Sequence, residues 1–300
     1  MKKRNLVVAF TMLFLILVLT ATASADWRDY DRDPDPDVLT YAIIATEDIA
    51  HHVQRYEGLL NWIEEVTGKE TEWYITTSYA SLIEAMRTGT IDIGSYGPTS
   101  AVMAIDQAGA EVIAIRVDND TGEQGYFTYM TARYDSGIEE YPEDLEGNLV
   151  SFTDPASTSG HVAVRYDLEV NRGITPEDYF EDIVWTGSHE ASQLAVKEGR
   201  VDAGATASTV YWRMVDRGDI DPDEVVIIWQ SDLIPLGPLT IRTDLNEELK
   251  EQIKEAAYTF ADQPEYASTW LEEMNTSGFE PASNEDFDII RGMEEEVDID

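Results

Sequence analysis

The run from Ser78 to Gly94 lies in step, without a gap, with the run from Ser188 to Gly204. Ser78 matches Ser188, Ala85 matches Ala195, Arg87 matches Lys197, Gly89 matches Gly199, Asp92 matches Asp202 and Gly94 matches Gly204. Each copy reads as a capping serine, an amphipathic helix, a terminating glycine and a short strand, Ile91-Asp92-Ile93 in one and Val201-Asp202-Ala203 in the other. Upstream lies a second matching piece. The apolar run Tyr41 to Ala45 leads through Thr46, Glu47 and Asp48 into a helix expected from about Ile49 to Thr67, and Leu149 to Phe152 leads through Thr153 and Asp154 into a serine-rich helix start. Helix-glycine-strand joints recur by chance in α/β chains, but a match at two separate places in each half argues against chance. Strand, helix, strand, helix, strand is the grammar of a mostly parallel sheet covered by helices, and its repetition predicts two similar lobes.

Such sheets point the C-terminal ends of their strands at a crevice, where ligands bind. In the first lobe these ends deliver Thr46, Glu47 and the segment 94–98, and in the second the loop 154–161 and the segment 205–208 that holds Thr206. The segments 126–133 and 238–242 alternate like strands, and both are expected to be the crossovers of a hinge. The division that follows is a signal segment over 1–25, an acidic solvated tail over 26–37, the first part of lobe 1 over 38–132, lobe 2 over 133–232, and a return to lobe 1 with C-terminal helices over 233–300. A capping box of Asp244 with Glu247 is expected to open a helix running to about Phe260.

The loop before the second helix offers small donors: Ser157, Thr158, Ser159, Gly160 and His161. A helix start leaves amides without partners and carries the positive end of the peptide dipoles, so it suits an anion. An ordinary N-cap uses the same residue types, and the motif alone does not separate the two.

Lys2, Lys3 and Arg4, an apolar run from Leu6 to Leu19 and Ala23-Ser24-Ala25 read as a secretory signal cleaved near Ala25, which predicts a periplasmic protein. There is no cysteine, which excludes disulfides, thiolate metal sites, catalytic thiols and a lipid-attachment cysteine. The net charge is −40, from 60 acids and 20 bases, and excludes nucleic acid as a partner. An acidic surface with four lysines beyond the signal resembles that of proteins from salt-loving organisms, where screening lengths near 1 M salt fall to about 3 Å. No metal or cofactor is expected. His51 and His52 are adjacent on a helix and diverge by about 100°, and the stretch from Asp118 lacks the closing acid of an EF-hand, with Tyr129 in its place. His189 reads as a helix-start residue, and Asp92 and Asp202, early in their strands, as structural.

Five segments taken together, 96–98, 154–161, 187–191, 199–203 and 231–238, resemble the successive signatures of the periplasmic phosphonate, phosphite and phosphate-binding proteins of ABC transporters. The resemblance covers nearly all of the chain beyond the signal. It implies a type II-like two-lobed binding protein, monomeric, that closes on a small phosphorus oxyanion and delivers it to a membrane permease. It implies that Ser157, Thr158 and Ser159 carry the anion with His161 beside them, that Tyr96 lines the opposite wall, and that Tyr79 contributes. The candidate set is completed by Thr206 and Glu47. Many relatives carry an acid two or three positions after the strand at 201–206, and this chain has Ala207 there. The alternatives are another small ligand in the same fold, a sensory binding module, or an exported hydrolase using Ser159 or His161. The last lacks a nucleophile elbow, a zinc-type histidine pair and a Walker loop.

Overall fold

Strand β1 (Val38–Ile44) is apolar along its length and is buried from Leu39 onward, as a strand covered on both faces must be. The computed structural model describes residues 26–297, so the signal segment lies outside the described residues. From β1 the chain runs through helix α1 (Ile49–Thr67), β2 (Glu70–Thr76), α2 (Tyr79–Thr88), β3 (Ile93–Ser95), α3 (Pro98–Ala108) and β4 (Ala110–Asp118). A two-residue strand β5 (Gly125–Tyr126) precedes β6 (Thr128–Arg133) and β7 (Leu149–Phe152). A π-helical turn at Thr158–Val162 then opens α4 (Ala163–Tyr166), followed by α5 (Pro176–Tyr179), β8 (Asp182–Trp185), α6 (His189–Lys197), β9 (Ala203–Ala207), α7 (Ser208–Arg217) and β10 (Val225–Gln230). The chain returns through β11 (Ile234–Pro235), β12 (Leu239–Arg242), α8 (Glu247–Thr259), α9 (Pro264–Glu273), β13 (Thr276–Pro281) and α10 (Asp288–Glu296).

Two mixed sheets result, with orders β13-β4-β12-β3-β1-β2 and β10-β6-β9-β7-β8. The duplication is visible in their order, since β2-β1-β3-β12-β4 in one corresponds to β8-β7-β9-β6-β10 in the other. Most strands run one way; β12 and β6, which arrive from the opposite lobe, and the edge strand β13 run against them. Ser78 and Ser188 cap their helices, each accepting from the amide three residues on. Asp92 accepts from the Thr40 amide at 2.8 Å and Asp202 from the Leu149 amide at 2.9 Å, so the paired aspartates tie the third strand of each lobe to the first. α1 spans the expected range and buries Tyr56, Leu59, Leu60 and Ile63 at helical spacing, each worth about 1.5–3 kcal/mol. It packs, with α8 and α9, on the first sheet around Trp270 and Phe260.

Four expectations are corrected. The crossings lie at 119–127 and 231–238, where β5 and β11 pair as a short antiparallel ribbon with Tyr126 opposite Ile234. β6, placed in lobe 1 by the boundary at 132, is inside the second sheet, because its buried residues Met130 to Ala132 pair with β9. α8 is capped by Asn246, which accepts from the Leu249 amide, while Asp244 accepts instead from Arg32 and Arg242. That same Arg32 holds down the acidic N-terminal stretch: its acids face solvent, but the guanidinium is buried and Trp27 packs over Gly109, so the segment is a strap rather than a free tail.

Candidate functional site

Four helices begin where strands end between the lobes: α1 after β1, α3 after β3, the π-helical turn after β7 and α7 after β9. Their openings surround an internal cavity of about 140 Å³, lined among others by Tyr79, Tyr96, Ser157, Thr158 and Ser159. A dry cavity of about 150 Å³ admits a benzene-sized guest, so this space suits a ligand of a handful of heavy atoms. Gly237 permits the enclosure, since a Cβ there would sit 2.0 Å from the Tyr96 carbonyl oxygen.

The serine-rich turn is held by contacts that reach across the cleft. Ser157 caps it by accepting from the Gly160 amide at 3.1 Å. Thr158 Oγ1 accepts from the Thr99 amide at 2.8 Å, and Thr99 opens α3 on the other lobe. Tyr126, on the hinge ribbon, donates to Ser159 Oγ at 3.1 Å, and burial pushes its hydroxyl up to about 12. Gly160 serves packing rather than ligand approach: a Cβ would lie 1.8 Å from Thr153 Oγ1. The amides of Thr158 and Ser159 open the turn, where a helix start leaves its first N–H groups without intrahelical partners.

The lining also holds residues that the sequence did not single out as ligand contacts, among them Arg116, His189, Arg55 and Arg213. Arg116, in the middle of β4, is 8% exposed and donates to the Met274 carbonyl at 3.0 Å. No carboxylate lies in ion-pair range of it among the described residues, and burial lowers its pKa to about 10, so it remains a cation. The other buried arginines, Arg32, Arg55, Arg165 and Arg242, each have a carboxylate partner. His189 Nδ1 accepts from the Ala207 amide at 3.2 Å, which leaves the ring proton on Nε2, and burial holds the ring neutral with a pKa near 4. A sequence signal existed for His189, the start of a repeated helix at the cleft. For Arg116 the signal was a lone base inside an apolar strand.

Three expected ligand residues do not line the cavity. His161 is engaged at both nitrogens, donating from Nδ1 to the Pro155 carbonyl at 2.9 Å and accepting at Nε2 from Arg165 at 3.0 Å, with Phe152 and Trp185 against its ring. Thr206 turns its hydroxyl to His189 Nδ1 at 3.4 Å and so supports that ring from behind. Glu47 is wholly enclosed by arginines: Arg55 at 3.3 Å from its own lobe, and Arg213 at 2.6 Å and Arg217 from α7 of the other. Those cations hold its carboxyl far below the usual range despite burial. Tyr96 lines the wall with its ring, while its hydroxyl donates to the Leu82 carbonyl at 3.3 Å. His51 is exposed and His52 buried, so the two diverge as expected.

Charge is partitioned sharply here. No Asp or Glu lines the inner cavity, whereas an adjacent outer cavity of about 820 Å³ is lined by Asp118, Asp120, Asp216, Glu272 and Glu273.

Two mixed α/β sheets joined by paired crossings around a small cavity are the build of a two-lobed periplasmic binding protein. The chain belongs to the family described as the periplasmic substrate-binding protein of phosphonate ABC transporters, whose family model matches residues 41–287. It is 29% identical to the phosphate-import protein PhnD of Mycolicibacterium smegmatis, over 72% of this chain and 70% of that one. It is 28% identical to the phosphonates-binding periplasmic protein of Escherichia coli, over 82% and 72% respectively. Its structure superposes with a TM-score of 0.79 on a binding component of an ABC phosphonate transporter from Pseudomonas aeruginosa, at 27% identity over 86% of this chain and 85% of that one. PhnD1 of Prochlorococcus marinus, solved with methylphosphonate, gives 0.78 at 19% identity over 87% and 97%. The family is one of substrate-binding transporter components in the periplasm, not of enzymes.

Proposed function

We propose that the chain captures a small phosphorus oxyanion, a phosphonate, phosphite or phosphate, in the inner cavity and hands it to a membrane ABC permease. The observation that carries this reading is the acid-free lining around Arg116 in a chain with 60 acids. A buried guanidinium without an internal counter-ion is costly, and an anionic guest supplies the missing charge. The amides of Thr158 and Ser159, the hydroxyls of Ser157 and Ser159, the His189 Nε2–H and the rings of Tyr79 and Tyr96 would complete the site, with Thr158 Oγ1 and the Ser157 amide already bonded to Thr99 and Asp154. Distant surface acids do not forbid binding, because donors at contact range act locally while the surface charge is screened.

The test is a thermal-shift and calorimetry series with phosphate, phosphite, methylphosphonate and 2-aminoethylphosphonate. At least one should raise the melting temperature and give a saturable isotherm, and Thr158→Ala with Ser159→Ala should remove it. Silence from all four would sink the reading. Export as a monomer, with the signal segment removed near Ala25, belongs to the same reading. N-terminal sequencing of periplasmic protein should begin at about Asp26.

A further inference from the structure

The polar groups around the inner cavity are mainly built to give hydrogen bonds. Arg116 can only donate. His189 presents Nε2–H because Nδ1 is taken by the Ala207 amide. Ser159 Oγ already accepts from Tyr126 and keeps its own proton to offer, whereas Thr158 Oγ1 gives its proton to Thr99 Oγ1 at 3.0 Å. No carboxylate faces the cavity to receive a proton from the ligand, and Ala207 lines it where an acceptor would otherwise stand. A guest oxygen bearing hydrogen would bury that hydrogen without a charged acceptor, at a cost comparable to any unsatisfied buried polar group.

Resting on the oxyanion reading above, we propose that this site selects oxyanions with no proton on any oxygen, with the Arg116 guanidinium as the charge complement, so that phosphonates and phosphite are taken as dianions and phosphate, whose dianion still carries a P–OH, is disfavoured. The corollary is that sulfate, fully deprotonated throughout the neutral range, is not refused. Between pH 5.5 and 8.5 the ligand titrates while the surrounding protein groups do not. His52 and His189 change charge near 4. Tyr79, Tyr96 and Tyr126 are pushed up by burial, and Arg116 keeps its proton. Arg55 and Arg213 also reach the lining and are held by Glu47, whose carboxyl stays ionised, and Tyr56 is the remaining phenol on that wall. Asp118, on the same strand as Arg116, and Asp154, before the serine-rich turn, stand outside the lining.

Calorimetry on the intact protein with phosphate, methylphosphonate and sulfate across that pH range tests the proposal. Affinity for methylphosphonate should fall about tenfold per pH unit below its second pKa, because only the competent fraction binds. Phosphate should bind at least about tenfold more weakly than methylphosphonate at pH 8.5, because its dianion buries an O–H without a charged acceptor. Sulfate should bind with no such dependence. Arg116→Gln should weaken all three roughly 100-fold, and Arg116→Lys should recover part of the loss, with melting curves confirming that each variant is folded. Methylphosphonate affinity equal at pH 5.5 and 8.5, phosphate held as tightly as methylphosphonate at pH 8.5, or refusal of sulfate by a protein that holds methylphosphonate, would overturn the proposal and leave the oxyanion reading standing. Failure of every oxyanion at every pH would overturn both. Should the Arg116 variants not fold, the pH series on the unaltered chain decides alone.

Discussion

The helix mouth after β1 and the helix mouth after β7 occupy equivalent places in the two lobes and are finished in opposite ways. The first is closed by the chain's own acids. Asp48 caps it by accepting from the Ala50 amide at 2.8 Å, and Glu47 beside it is gripped by three arginines, two of them from the other lobe. The second is finished by neutral hydroxyls, with Asp154 turned aside to accept from the Ala156 amide at 2.9 Å. One mouth spends its positive potential on an internal anion and becomes a clasp between lobes. In the proposed reading the other keeps it for a guest, so that two copies of one motif give one binding site.

The comparison breaks most visibly if the second mouth is given an acid of its own. Ser159→Asp should lower oxyanion affinity about 1000-fold, since juxtaposed like charges cost several kcal/mol; calorimetry with an intact melting transition would show it, and retained affinity would place the anion elsewhere. At the first mouth, Glu47→Gln leaves buried guanidinium groups without their carboxylate. It should cost about 3 kcal/mol in chemical denaturation and enlarge the ligand-free radius of gyration in solution scattering. An unaltered radius would mean that the clasp does not govern closure.

Acid sharpens the same contrast. Buried His52, His161 and His189 have pKa values lowered from 6.5 to about 4, so the unfolded chain binds more protons below neutrality. Their contribution is whole above about pH 6.5 and is lost as pH falls toward 4, at up to about 1.4 kcal/mol per unit for each histidine. Glu47, with its carboxyl held low, adds its loss only below the ordinary carboxylate range, as pH falls from about 5. Denaturation midpoints should therefore decline in two stages, and a flat profile down to pH 5 would contradict the histidine assignment. The smallest effect separates the paired aspartates. Asp92→Asn should cost about 2 kcal/mol because Asp92 is buried against Arg242 at 2.7 Å, whereas Asp202→Asn, at an exposed position, should cost under about 1 kcal/mol.

Much of this was legible along the chain. The repeat gave the two lobes, their caps and the paired aspartates, and the serine-rich turn was placed at the cleft beside Tyr79 and Tyr96. The crossings were misplaced because β5 and β11 have two residues each, too few to show a period, while the longer strands β6 and β12 looked equally able to lead out of a sheet as to lie within one. His161 misled because its neighbours Pro155 and Arg165 claim both ring nitrogens only once the turn is folded.

By itself the sequence determined what repeats locally: helix starts and stops, strand period, the absence of thiols and the excess of acid. Those properties follow from neighbours within a few residues and from summed composition. Only the tertiary structure decided that Glu47 meets Arg213 and Arg217, that Arg116 meets no carboxylate among the described residues, and that Tyr126 reaches Ser159. Charge and hydrogen bonding act through space at a few ångströms, and the partners there are set by how the sheets stack and not by their order in the chain.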